Sequence, residues 1–171
     1  FEIENKQKLF QEFNLQKDKF YIGSFQRDTE GNDLSSPKLS KGPDKFLDVV
    51  EYYKKQNEEV EVILTGKRRQ YVIKGLIERG ISYRYFEMSN FETINKLYNC
   101  LNLYVVSSRV EGGPQSILEC SITRTPIIST DVGIASEILS PSSIYSYQEI
   151  GKANPDIEHA YKNVQQYLLP K

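Results

Sequence analysis

The sequence predicts a three-layer α/β domain on a parallel, doubly wound sheet of about six strands. Two observations carry this expectation. Short apolar runs rich in Val, Ile, Tyr and Phe alternate along all 171 residues with stretches of helical spacing. Two of those runs, VEVILTG (60–66) and LYVVSS (103–108), are nearly continuously apolar, as central strands covered on both faces are. Short links between strand and helix then require parallel strands and right-handed crossovers, the Rossmann-like arrangement.

The elements follow in order. A helix from Lys6 to Phe13 opens the chain, and FYIGSF (20–25) is the first strand. Pro43 and Asp44 suit the start of the next helix, whose Phe46, Val49, Val50 and Tyr53 fall on one face. VEVILTG is the second strand. Val72, Ile73, Leu76 and Ile77 mark a helix that Gly80 stops. YRYFE (83–87) is the third strand, followed by a helix from Phe91 to Asn99. LYVVSS is the fourth, and a helix from Pro114 to Thr123 comes after it. PIISTD (126–131) and SIYSY (143–147) are read as the fifth and sixth strands, with a last helix from Pro155 to Leu169.

Composition narrows the function classes. The length suits one domain, residues 1–171, with a sizeable core. The hydrophobic fraction is 39%, and no run of 18 apolar residues predicts a membrane span. A net charge of -1 with mixed signs gives no electrostatic footprint for nucleic acid. Cys100 and Cys120 stand outside any CxxC or Cys/His cluster, which argues against zinc and for free thiols in a reducing, cytoplasmic setting. His159, the one histidine, lies in a polar helical tail and is read as a surface residue. The chain opens FEIENKQKLF, without an initiator methionine and unlike a signal peptide, so a longer protein is expected.

In such sheets ligands bind beyond the carboxyl ends of the strands, where the strand order reverses. The strand ends carry Gly23, Ser24, Phe25, Gln26 and Arg27, then Thr65, Gly66 and Lys67-Arg68-Arg69, then Met88, Ser89 and Asn90, and finally Ser107, Ser108 and Arg109 before VEGGPQSILE. In the last of these, Pro114 suits the first turn of a helix. Gly112 and Gly113 permit a left-handed or tightly turned backbone and a close approach. The amides of Gln115, Ser116 and Ile117 would point outward from a helix N-terminus, an anion site. Glu119 shares a face with Gln115 and Ser116, while Ile117, Leu118 and Ile122 form the buried face. A carboxylate fits beside an anion site when a ribose lies between them, because vicinal hydroxyls donate to it. Glu111, on the other side of the turn, is placed for the hydroxyls of a second sugar. Together these describe a nucleotide-diphosphate-sugar site. The competing reading is two solvated glutamates flanking a plain turn.

EGGPQSILECSITRTPIISTDVGIASEIL (111–139) resembles the signature of the glycogen-synthase-like, group 1 retaining glycosyltransferases of GT-B architecture. That signature has two glutamates separated by seven residues, here Glu111 and Glu119. A small-residue helix follows, then a strand opening with Pro126, then a glycine loop at Gly133 followed by Glu137. The resemblance runs from FYIGSF to the last helix and is to the C-terminal, donor-binding domain. It implies that Glu119 holds the ribose, that Glu111 contacts the transferred sugar, and that backbone groups at Gln115, Ser116 and Ile117 meet the diphosphate or sugar. It also implies an Arg and then a Lys-Gly after the first strand to neutralise the diphosphate, here Arg27 and Lys41 with Gly42. DTEGNDLSSPKLS (28–40) separates that pair, a departure from the family's closer spacing, and Lys38 is an alternative to Lys41. The loop at Met88, Ser89 and Asn90 is where the family seats its base, and Gly23, Ser24 and Gly66 complete the candidate donor site. Lys67-Arg68-Arg69 either borders the phosphates or faces water.

The resemblance further implies no metal and no cofactor beyond the donor itself. The acceptor, a saccharide, lipid or protein, would be held by an N-terminal domain outside this chain, with peripheral membrane attachment also carried there. The chain alone would bind donor without efficient turnover. The competing functions are a sugar-nucleotide epimerase or phosphorylase of the same architecture, a non-catalytic nucleotide-binding or interaction module, and an unrelated doubly wound domain without nucleotide affinity.

Overall fold

The computed structural model describes residues 1–57 and 59–170. Five strands form one all-parallel sheet: β1 (Phe20–Ser24), β2 (Val60–Thr65), β3 (Ser82–Phe86), β4 (Leu103–Val106) and β5 (Ile127–Ser129). Their order is β3-β2-β1-β4-β5. The helices are α1 (Lys6–Glu12), α2 (Pro43–Gln56), α3 (Gln70–Glu78), α4 (Phe91–Cys100), α5 (Gln115–Ile122), α6 (Ala135–Ile138) and α7 (Ile157–Tyr167). Among the described residues no helix is long and apolar enough to cross a membrane.

The period of two along each strand divides the interior into two cores. Tyr21, Ile63, Tyr104, Val106 and Ile127 face one side, packed with Leu9, Leu97, Ile117, Ala135 and Val164 of the flanking helices. Ile22, Val62, Leu64, Leu103, Val105 and Ile128 face the other, packed with Phe46, Val49 and Val50 of α2 and Val72 and Leu76 of α3. Each such fully buried aliphatic side chain contributes about 1.5–3 kcal/mol over an exposed one. Helix boundaries follow local chemistry. Pro43 opens α2, and Lys54 and Lys55 complement its C-terminal dipole. Asn90 caps α4 by accepting from the Thr93 amide. Gly80, at φ 63°, turns the chain after α3.

The expected sixth strand is not formed. Residues 141–143 make a 3-10 turn that starts at Pro141, and only Ile144 bridges to β5, at Ser129. The Tyr145 amide donates to the Ser129 carbonyl at 3.0 Å, and the two tyrosine hydroxyls add bonds to the end of β4. Tyr145 donates to the Val106 carbonyl (2.9 Å) and Tyr147 to the Ser107 carbonyl (2.8 Å).

The 28–40 insertion doubles back on itself. Thr29 bridges Pro37, and the Lys38 amide donates to the Asp28 carbonyl at 2.7 Å. Its length therefore does not carry Lys41 away from β1. Gly42 fixes the return. It sits at φ 62°, and a Cβ there would lie 1.8 Å from the Ser107 carbonyl oxygen. Only glycine lets the root of α2 lie against the end of β4.

Candidate functional site

The strand order reverses between β1 and β4. Beyond their carboxyl ends lies a cavity of about 300 Å³. Phe25 and Gln26 line it from the end of β1, Lys41 and Glu111 from the two following loops, and Gly113, Pro114, Gln115, Ser116 and Glu119 from the start of α5. Tyr98 of α4 and Tyr104 of β4 complete the lining. A larger cavity of about 630 Å³ lies between α2 and α3, but each of its ionic side chains is already paired: Asp44 with Arg109, Asp48 with Lys45, Arg79 with Glu51, and Lys74 with Glu78.

Lys41 and Glu111 form an ion pair, Nζ to Oε1, at 2.5 Å. The same oxygen accepts from Ser108 Oγ at 2.9 Å. The backbone holds the two loops together. The Arg109 and Val110 amides both donate to the Ser40 carbonyl (2.8 and 3.2 Å), and Ser107 Oγ donates to the Gly42 carbonyl (2.8 Å). The Gln26 side-chain amide donates to the Lys41 carbonyl at 3.3 Å. Cation and carboxylate are thus presented together at the mouth of the site.

Two backbone amides at the start of α5, those of Gln115 and Ser116, have no acceptor among the described residues. The third expected amide, that of Ile117, is spent on the Pro114 carbonyl at 3.0 Å, and the Ile117 side chain is buried in the core. Pro114 is the N-cap and not part of the first turn. Gly112 and Gly113 are exposed and neither has a positive φ. A Cβ at either would meet nothing within 4 Å, so no neighbour among the described residues demands glycine there. What they provide is open space over two free amides. Gly133, at φ 53°, supports the turn from behind, where a Cβ would lie 2.8 Å from Pro114 Cδ.

Glu119 Oε2 accepts from the Tyr98 hydroxyl at 2.7 Å. Burial raises the Glu119 carboxyl above the usual range, and the Tyr98 hydrogen bond partly offsets this. A carboxyl with a raised folded-state pKa contributes stability that is complete below the unfolded pKa and is lost as pH rises through the folded one. At pH 7 the ionised Glu119 therefore opposes folding. Glu119→Gln is expected to raise the melting temperature at pH 7. The gain should shrink toward zero as pH falls below about 4, which melting curves across pH would show. A variant less stable than wild type at pH 7 would contradict this.

An aromatic floor underlies the site. Phe25 lies 4.8 Å from Tyr98 and 5.3 Å from Tyr104, ring centre to ring centre. The Tyr104 hydroxyl accepts from the Phe25 amide at 3.1 Å. Burial drives both tyrosine hydroxyls well above the usual phenol range, so they stay protonated. Among the described residues no group of three or more His, Cys, Asp or Glu could hold a metal ion. Both cysteines are free and buried, and His159 is exposed on α7.

Several expected site residues lie outside the cavity. Gly23 is interior to β1, where the Leu101 side chain occupies the place of its missing Cβ. Ser24 is buried and accepts from Arg69 through both its carbonyl and its hydroxyl. Gly66 makes a left-handed turn at φ 80°, and its carbonyl accepts from the Tyr85 hydroxyl at 2.6 Å. Ser89 Oγ donates to the Phe86 carbonyl (3.1 Å), and the Asn90 side chain is committed to its cap. Arg27 is exposed and makes no ion pair among the described residues, while Lys38 is half-buried in the hairpin. Of the basic run, Arg69 neither borders the cavity nor faces water. It is fully buried against Asp28, Ser24 and Thr65.

The sequence profile of the family described as "Glycosyl transferases group 1" matches residues 5–169. No curated protein sequence matches the chain. Among solved structures, sucrose-phosphate synthase from Thermosynechococcus elongatus is 16% identical with a TM-score of 0.70, over 97% of this chain and 45% of the synthase. HepE from Anabaena, in complex with UDP-glucose, is 18% identical with a TM-score of 0.67, over 94% of this chain and 47% of HepE. The C-terminal domain of a group 1 glycosyl transferase (LpcC) from Francisella tularensis is 20% identical with a TM-score of 0.63, over 96% of this chain and 90% of that domain. At these identities the likeness is one of fold, and the chain spans less than half the length of the synthase and of HepE. With a family profile matching nearly end to end and a five-stranded parallel sheet of the same type, the chain belongs to the group 1 glycosyltransferases and has the fold of one half of a GT-B enzyme.

Proposed function

We propose that this chain is the donor-binding, C-terminal half of a retaining hexosyltransferase that uses a nucleotide-diphosphate sugar. The observation that carries the reading is the meeting of Lys41, Glu111, two free amides and Glu119 in one cavity at the switch point. Each part has a chemical use. Glu119 accepts hydrogen bonds from the ribose hydroxyls. Lys41 and the amides of Gln115 and Ser116 face the diphosphate, and they stabilise the charge that grows on it as the glycosidic bond breaks. Glu111 meets the transferred sugar. Arg27, an exposed cation beside Gln26, is a second candidate for the diphosphate. The base lies toward the loop at Met88, Ser89 and Asn90. The side chains of Ser89 and Asn90 are already committed there, which leaves backbone groups to read it.

In this reading the leaving phosphate takes the acceptor's proton, and the acceptor attacks from the face the phosphate leaves. No metal or other cofactor takes part. HepE, of the same fold, is in complex with UDP-glucose, which supports a nucleotide-sugar donor. The acceptor, a saccharide, lipid or protein, is presented by further domains of a cytoplasmic enzyme. Titration of the chain with UDP, GDP, ADP and their sugar conjugates tests the proposal, which does not survive if none binds at millimolar concentration.

A further inference from the structure

Tyr98 is tied to Glu119 through its side chain. Its hydroxyl donates to Glu119 Oε2 at 2.7 Å. Its carbonyl accepts from Thr125 Oγ1 at 2.9 Å, Thr125 Oγ1 lies 2.7 Å from Thr123 Oγ1, and Thr123 Oγ1 donates to the Glu119 carbonyl at 2.8 Å. Each hydroxyl has one proton and spends it on a carbonyl, so the Tyr98 and Glu119 main chains are each held by a buried threonine of the turn after α5. The tyrosine ring has no freedom to move away. It is 2% exposed and packed against Phe25 at 4.8 Å and Tyr104 at 5.4 Å.

This has a consequence for Glu119. A glutamate side chain has three rotatable bonds, and fixing them at the moment of binding costs affinity. Here the carboxylate is fixed beforehand by one oxygen. Its other oxygen, Oε1, makes no hydrogen bond among the described residues. Two adjacent hydroxyls need acceptors on both oxygens of a carboxylate held at one angle. Oε1 and the remaining lone pair of Oε2 supply them.

We propose that Tyr98 is a positioning residue for ribose recognition, orienting the Glu119 carboxylate so that the site selects ribonucleotides over nucleotides lacking the vicinal hydroxyls. This rests on the assignment of Glu119 to the ribose. Tyr98→Phe is the informative variant, because it keeps the ring and its packing and removes only the donor.

The test is calorimetric titration of the chain with UDP, GDP and ADP, and with the 2′,3′-dideoxy form of each. For the best-binding base, wild type should prefer the ribonucleotide by about tenfold or more, the worth of hydrogen bonds to a charged acceptor. Glu119→Ala should abolish that preference. Tyr98→Phe should weaken the ribonucleotide about fivefold and leave the dideoxy form unchanged, as expected when preorganisation alone is lost. A merely structural role would weaken both forms alike, and that result overturns the proposal. So does a Tyr98→Phe protein that keeps the wild-type ratio while Glu119→Ala loses it, and in that case the ribose assignment stands. A wild type that binds neither form, or both equally, overturns the two together.

Discussion

Arg69→Met is expected to destabilise the domain by about 3–5 kcal/mol, the cost of breaking a buried charge pair from one side. That is a large part of the roughly 5–15 kcal/mol available to a domain. The Arg69 side chain is fully buried, and four hydrogen bonds converge on it. Nε donates to Asp28 Oδ2 at 2.8 Å, one terminal nitrogen to the Ser24 and Thr65 carbonyls at 2.5 and 2.9 Å, and the other to Ser24 Oγ at 3.1 Å. It therefore ties the end of β1, the end of β2 and the root of the 28–40 hairpin together. Burial already disfavours the Asp28 charge: its carboxyl is pushed up despite the arginine, and among the described residues its Oδ1 has no hydrogen-bond partner. Without Arg69 the buried Asp28 carboxylate would lose its paired cation. Adding Asp28→Asn should recover part of the loss, because it removes the orphaned charge. Urea unfolding midpoints of the two single variants and the double variant measure this. A loss below about 1 kcal/mol, the range of an exposed pair such as Lys74 and Glu78, would contradict the account.

The second large effect concerns binding. Lys41→Met should weaken nucleoside diphosphates by about tenfold to a hundredfold, corresponding to about 1.5–3 kcal/mol for a hydrogen bond to a charged group. Two causes act together. In the proposed site the cation assigned to the diphosphate is lost, and Glu111, whose oxygen now accepts from Lys41 and Ser108, is left as an unneutralised charge beside the anion. The parent nucleosides, lacking phosphate, should bind the variant and wild type alike. Stability should change little, because Lys41 is half-exposed and its loop is held by backbone bonds to Ser40 and Gly42. Unchanged affinity for UDP, GDP and ADP would remove Lys41 from the site.

Strands β1 to β4 and the helices between them were legible because their spacing reports one face or two. SIYSY was not: its composition is that of a strand, yet it begins in the 3-10 turn at Pro141 and reaches β5 through a single bridge. The site was legible where the chemistry is local. Glu111, Glu119 and the amides of Gln115 and Ser116 lie within one short segment, and the cavity gathers them. Lys41 was harder, because nothing in DTEGNDLSSPKLS shows that the insertion closes on itself. Gly23 looked like part of the donor site, but the place of its missing Cβ is filled by Leu101. Ser24 and Arg69 looked available to a ligand and instead satisfy each other. A charge run reveals nothing of two strand ends converging on one guanidinium. Tyr98 had no signal at all, because its partner is on the next helix and only the packing of α4 against α5 brings them together.

The measurement that tests the central claim most directly is a thermal-shift titration of the chain with UDP, GDP and ADP, run beside Glu119→Ala. A ligand bound only by the folded state stabilises it by about 2.7 kcal/mol at a hundredfold excess over its dissociation constant. For a domain of this size that is a shift of about 5–10 °C. The account predicts such a shift for at least one diphosphate and a much smaller one in the variant. No shift with any of them at millimolar concentration, or the same shift in Glu119→Ala, would contradict it.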